Sequence, residues 1–124
     1  MSTLRELAAE SIGRITRRGL EPQIAQIDGA LERRERVIAV APGHDGSTGI
    51  VVAVTDGRIL VSRGAPFAEP ALEQLARAST PSATAEAQGP TWTLRVEHAG
   101  GPITVAGMFD RDAQRLAALL STSR

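Results

Sequence analysis

The sequence contains no cysteine and no lysine, and its aromatic side chains are limited to Phe67, Trp92 and Phe109. Without cysteine there are no disulfides, thiolate nucleophiles or cysteine-type zinc sites. Without lysine there is no Schiff-base nucleophile, no phosphate-loop lysine and no lysine general base. So few aromatics exclude a stacking platform for bases or sugars and leave the core to Leu, Ile, Val and Ala. The chain also lacks an excess of either charge: fourteen cations, all arginine, balance fourteen acidic residues. Nucleic-acid binders draw much of their affinity from a basic excess through counterion release, so nucleic acid is not an expected partner. Residues 1–15 are charged and amphipathic and lack the apolar run of a signal peptide, and no stretch approaches transmembrane length, so a cytoplasmic location is expected.

What is present is ordinary globular material: 124 residues, 42% hydrophobic and 23% charged, enough for one core without staples. Thr3 and Glu6 have the spacing of a capping box. Leu4, Leu7, Ala8, Ile12 and Ile15 then recur at helical intervals, which predicts one amphipathic helix closing at Gly19 after Arg14, Arg17 and Arg18. Pro22 opens a second helical pattern through Ile24, Ile27 and Leu31, weakened by Gly29.

From Arg36 onward the period changes. Residues 37–41, ended by Pro42 and Gly43, then 49–54 and 58–62 predict three antiparallel strands, with Asp56-Gly57 as a hairpin turn. Pro70, Leu72, Leu75 and Ala76 have helical spacing, and residues 79–89 read as a loop or as poor edge strands. Trp92, Leu94 and Val96 alternate with polar residues, predicting a strand with Trp92 as a core anchor. Ala99-Gly100-Gly101-Pro102 predicts a turn, and Ile103 and Val105 alternate again. Asp110 then caps a helix with the stripe Ala113, Leu116, Ala117 and Leu120. Helices, a run of strands and a final helix argue for an α+β domain with a meander sheet.

Reactive constellations are scarce. Gly43-His44-Asp45-Gly46-Ser47-Thr48-Gly49 contains the letters of a Ser/His/Asp triad, but one short loop does not converge three such groups on an oxyanion hole; a glycine-rich hairpin is the expected reading. No phosphate cradle is expected there either, because a strand and not a helix follows the glycines. His44 and His98, the two histidines, lack carboxylates at metal-ligand spacing. Arg33, Arg34 and Arg36 form a basic cluster which Arg58 and Arg63 are candidates to join as an anion or lipid-headgroup patch; interleaved Glu32 and Glu35 and the zero net charge favour a solvated helix end instead.

The run Glu35-Arg36-Val37-Ile38-Ala39-Val40, followed after a loop by Gly49-Ile50-Val51-Val52-Ala53-Val54-Thr55-Asp56-Gly57-Arg58-Ile59-Leu60-Val61, resembles the opening of bacterial pleckstrin-homology-like domains. The resemblance extends over residues 35–120 and implies an antiparallel sheet or partly open barrel plugged by the C-terminal helix. Residues 70–78 depart from that pattern, with a helix-like stretch where a strand is usual. It also implies a non-catalytic module that binds protein surfaces or lipid headgroups.

The expectations are therefore an α+β fold with residues 1–34 as a helical segment packing on the domain or on a partner, and residues 35–124 as the β domain with its closing helix. The expected function is binding or scaffolding through protein contacts, with a protein partner or a second copy. Weak peripheral contact with anionic membranes is the alternative, and a hydrolase built on His44, Asp45 and Ser47 ranks last. No cofactor and no metal are expected. The candidate interaction face is Leu4, Leu7, Ile12 and Ile15, because a small plugged barrel leaves little core for further helices.

Overall fold

The computed structural model describes residues 3–66, 68–79, 82–98 and 100–122. Phe67, Thr80, Pro81 and Ala99, which enter the readings above, lie outside the described residues. Three short helices, α1 (Leu4–Ser11), α2 (Arg14–Gly19) and α3 (Glu21–Ala30), precede seven strands: β1 (Val37–Asp45), β2 (Thr48–Thr55), β3 (Arg58–Gly64), β4 (Ala71–Ala76), β5 (Ala83–Gln88), β6 (Thr91–Val96) and β7 (Ile103–Met108). A last helix, α4 (Asp110–Thr122), closes the chain. The strands form two antiparallel sheets in sequence order, β1-β2-β3-β4 and β5-β6-β7. No described helix is long and apolar enough to cross a membrane.

The four-stranded sheet is buried on both faces. Alternate side chains of β2 and β3 divide between two cores: Ile50, Val52, Val54, Ile59 and Val61 face the second sheet and α4, whereas Val51, Ala53 and Leu60 face the N-terminal helices. Between the sheets α4 inserts Ala113, Leu116, Ala117 and Leu120, all buried, as its stripe predicts. On the outer face Leu4, Ala8, Ile12, Leu20, Ile24 and Ile27 form the second core. Each Leu or Ile buried there contributes about 1.5–3 kcal/mol, so α1 and α3 are integral parts of the domain. Polar groups fix the register of α3: Gln23 Nε2 donates to the carbonyls of Gly49 (3.1 Å) and Gly64 (3.2 Å), and Gln26 Nε2 donates to that of Pro70 (2.6 Å).

Three expectations need correction. The first helix is two helices. Its capping box forms, with Glu6 N donating to Thr3 Oγ1 (3.1 Å) and Thr3 N to Glu6 Oε1 (3.2 Å). However, Ile12 is extended (φ −120°, ψ 126°), so the chain turns before α2 and the apolar stripe stops at Ile12. Ile15 is 89% exposed. The first strand does not end at Pro42: β1 runs on to Asp45, with Pro42 opposite Val51. Proline is tolerated because β1 is an edge strand of its sheet. Residues 71–76 are strand β4, not helix, paired with β3 from Arg63↔Ala71 to Arg58↔Ala76. Leu72 and Leu75, three apart, lie on opposite faces of that strand, Leu72 against the helical core and Leu75 in the inter-sheet core. Of the two readings offered for residues 79–89, the edge strand holds for residues 83–88, which form β5 in register with β6 from Ala83↔Val96 to Gln88↔Thr91.

β1 and β7 adjoin at a crossing made of glycines. A Cβ on Gly43 would lie 2.6 Å from the Ala106 carbonyl oxygen, and one on Gly107 would lie 2.3 Å from that of His44. Gly107 also has φ +66°, in the left-handed region. This crossing brings the two sheets together at the end of the molecule where β1 turns into β2.

Candidate functional site

The polar residues that stand out in the sequence converge, but on a structural node. The Asp56-Gly57 turn joins β2 to β3 as predicted, although Gly57 is not among the glycines of positive φ. Its closure comes instead from Thr55, whose Oγ1 accepts from Gly57 N (3.2 Å) and Arg58 N (2.8 Å) and donates to Glu35 Oε2 (2.7 Å). Arg58 grips the same carboxylate with two nitrogens, Nε to Oε2 at 2.8 Å and the second to Oε1. It also donates to the Ala30 carbonyl at 2.9 Å. The Arg58 hydrogen bonds hold the Glu35 carboxyl down to about 2, and the Glu32 amide and the Thr55 hydroxyl act in the same direction. The node ties the end of α3, the loop before β1 and the β2–β3 turn into one corner.

Of the five arginines grouped as an anion patch, two are thus engaged. Arg58 serves the node, and Arg63 pairs with Glu73 (2.7 Å) while donating to the Thr104 carbonyl (2.6 Å). Arg33, Arg34 and Arg36 are exposed on the loop between α3 and β1, and none forms a side-chain ion pair among the described residues. Of the candidate interaction face, Leu4 and Ile12 are buried against the sheet, Leu7 is half-buried and Ile15 is exposed. His44, Asp45 and Ser47 are exposed at the β1–β2 hairpin, and no hydrogen bond joins them. His98 accepts from Gly100 N through Nδ1 (3.1 Å). No group of three or more potential metal ligands occurs among the described residues. Trp92 is half-buried and packs against the inter-sheet core.

One feature with a binding geometry is an apolar cleft of about 390 Å³ at the glycine crossing. The α2–α3 junction forms one wall with Thr16, Gly19 and Leu20; Pro42 and His44 of β1 form the floor; Thr91, Met108 and Phe109 form the far wall. Its volume falls within the range of small-ligand and side-chain pockets, and its few polar groups are the hydroxyls of two threonines and the His44 ring. Phe109, at the β7–α4 junction, is 67% exposed. Phe109 and Ile15 are the large exposed hydrophobic residues of the described chain, and Ile15 adjoins the lining residue Thr16. An alternation count around β7 registers Phe109 only as one more apolar residue. The available signal was a bulky aromatic at a helix entrance, outside the stripe of the helix that follows.

Near this end α4 buries an acid. Asp112 is 3% exposed and its Oδ2 has no hydrogen-bond partner. Burial pushes its carboxyl above the ordinary 3.8, only partly opposed by Arg111 and Arg115. A raised pKa means that the folded state prefers the neutral acid, so the cost is absent below the ordinary pKa and grows as pH rises above it. Asp112→Asn is therefore expected to stabilise the protein at pH 7 by about 0.5–1 kcal/mol, with a gain that shrinks toward pH 3.5. Urea unfolding at several pH values measures it.

No protein-family model and no curated protein matches this sequence. Among solved structures, the chain is similar to a DUF1696 family protein with a pleckstrin-homology domain from Shewanella loihica PV-4, with a TM-score of 0.56 and 14% identity over 98% of this chain and 99% of that one. At that identity the likeness is one of fold, and the two antiparallel sheets with a C-terminal helix are a pleckstrin-homology-like architecture, as the strand motif implies.

Proposed function

We propose that this pleckstrin-homology-like domain is a non-catalytic binding module that acts through protein contacts. The observation that carries the reading is the open apolar cleft rimmed by exposed Phe109. Binding sites are concave, mostly apolar and furnished with a few polar groups, and large aromatics that become buried on binding supply much of the contact energy. The convergent charged groups, by contrast, are spent on the Glu35–Thr55–Arg58 corner, where every member has a structural partner. The burial requirement that argued for self-assembly through α1 is met within the chain, since Leu4, Ala8 and Ile12 pack on the sheet. That moves the proposed interaction face from the stripe of α1 to the cleft.

The test is a photo-reactive phenylalanine analogue placed at Phe109 and, as a control, at Arg33, with irradiation in living cells. Adducts of defined mass at Phe109 and none at Arg33 are expected. Equal labelling at both positions, or none at either, overturns the reading. A second reading, anionic-headgroup binding, draws on the unpaired Arg33, Arg34 and Arg36. It predicts sedimentation with phosphatidylserine vesicles at low salt that is lost when all three become glutamate. Sedimentation unchanged by that triple substitution eliminates it.

A further inference from the structure

Helix α2 contributes no buried residue to the fold. It is held at its ends, where Ile12 and Leu20 are buried, and the helix dipole accounts for Arg17 and Arg18 in its last turn but not for exposed Arg14 and Ile15. Besides a concavity of about 610 Å³ over Gly13, Arg14, Ile15, Thr16 and Arg18, two others flank α2. One is the apolar cleft, reached through Thr16 and Gly19. The other is a depression of about 280 Å³ lined by Arg14, Arg17, Arg18 and Glu21. The acid of that depression is already engaged, since Glu21 accepts from Arg5 at 2.9 Å. Arg17 donates to the Ile12 carbonyl (3.4 Å), whereas Arg14 and Arg18 form no ion pair among the described residues.

We propose that α2 divides a two-part docking site for a segment of a partner protein, which places a large apolar side chain in the cleft and carboxylates against Arg14 and Arg18. This rests on the protein-binding reading above and adds the chemistry of the partner. Charge complementarity argues for the acidic half: two unpaired guanidiniums beside an apolar contact recognise carboxylates bidentately. Shape argues for the apolar half, since a cleft of this size takes one or two side chains. A bilayer fits less well. The apolar surface is concave, and Asp45 and Asp110, chain neighbours of the lining residues His44 and Phe109, are exposed beside it. A flat anionic surface must accommodate those carboxylates, whereas a peptide can place its own acids on the Arg14 and Arg18 side of α2.

The probe is a phage-displayed random peptide library selected on the full chain, the selected peptides then being measured by fluorescence anisotropy. Expected is a consensus that joins a large apolar residue to Asp or Glu, with affinity falling at least about tenfold in the double variant Arg14→Glu, Arg18→Glu. Gly19→Leu is expected to weaken binding as much by filling the cleft. A Cβ at Gly19 meets nothing within 4 Å, so this variant keeps the fold, which an unchanged thermal midpoint verifies. A consensus without acidic residues, or affinity indifferent to both variants, overturns the site. Sedimentation with phosphatidylserine vesicles that is lost in the arginine double variant assigns the surface to membranes and overturns the peptide. Capture through Phe109 that neither variant alters leaves the binding module standing and overturns the two-part site.

Discussion

Replacing Gly107 with alanine is expected to lower stability by about 3 kcal/mol or more, the largest effect of any single methyl group discussed for this chain. Two costs combine. At φ +66° an L-residue pays about 1–2 kcal/mol for the left-handed conformation. The new Cβ would also lie 2.3 Å from the His44 carbonyl oxygen and 2.7 Å from the His44 ring. The ring can turn away, but the carbonyl belongs to β1 and moves only if the crossing of β1 and β7 opens. Gly46→Ala is the matched control. Gly46 has φ +60°, but a Cβ there meets nothing within 4 Å, so only the conformational cost remains, about 1 kcal/mol. Urea unfolding of both variants separates strain from collision. Equal losses would show that the crossing yields without cost.

Glu35→Ala is expected to cost about 2–3 kcal/mol at pH 7. The Glu35 side chain is 6% exposed and that of Arg58 22%, so truncation leaves a largely buried guanidinium and the Thr55 hydroxyl without their acceptor. Solvent at Arg58 keeps the loss below that of a fully buried pair. The carboxyl titrates at about 2 when folded, below its ordinary 4.5. A depressed pKa stabilises the fold above the ordinary value, and that contribution fades as pH falls from about 4.5 toward 2. The gap between wild type and Glu35→Ala should therefore be constant from pH 7 to about 5 and narrow below that. A gap independent of pH would mean that Glu35 acts by packing and not by charge.

Much of this architecture was legible from residue patterns, and the failures have identifiable causes. The first three strands and the closing helix follow from runs and spacing that local chemistry sets, and the same residues carry the likeness to the pleckstrin-homology fold. The uninterrupted apolar runs at 37–41 and 49–54 also held information that went unused. A strand exposed on one face alternates, as Trp92-Thr93-Leu94-Arg95-Val96 does, whereas Ile50-Val51-Val52-Ala53-Val54 does not, because helices cover its second face. That pattern announces where the N-terminal helices lie. It also explains β4: on a sheet covered twice, Leu72 and Leu75 face opposite ways and both meet apolar surroundings, so their spacing imitates a helix. The cleft was not legible at all. It arises where α2, β1 and the β7–α4 junction meet, and distant parts of a chain leave no local signature of their approach.

The two-sided cover of the first sheet bears on the order in which the molecule can be completed during synthesis. The helices and the strands they cover, from Leu4 to Gly64, are contiguous and leave the ribosome before the strands and helix that follow them. They supply each other with most of one interface, through Leu20, Ile24, Ile27, Val51, Ala53 and Leu60. The other face of that layer, with Ile50, Val52, Val54, Ile59 and Val61, receives its partners only from Leu75 onward and is finished by Leu120, at the far end of the chain. A nascent chain paused after β3 is thus half closed: one side lacks only Leu72, and the other is a row of isoleucine and valine side chains awaiting residues not yet made. Translation speed through residues 65–120 sets how long that surface stays open to other chains.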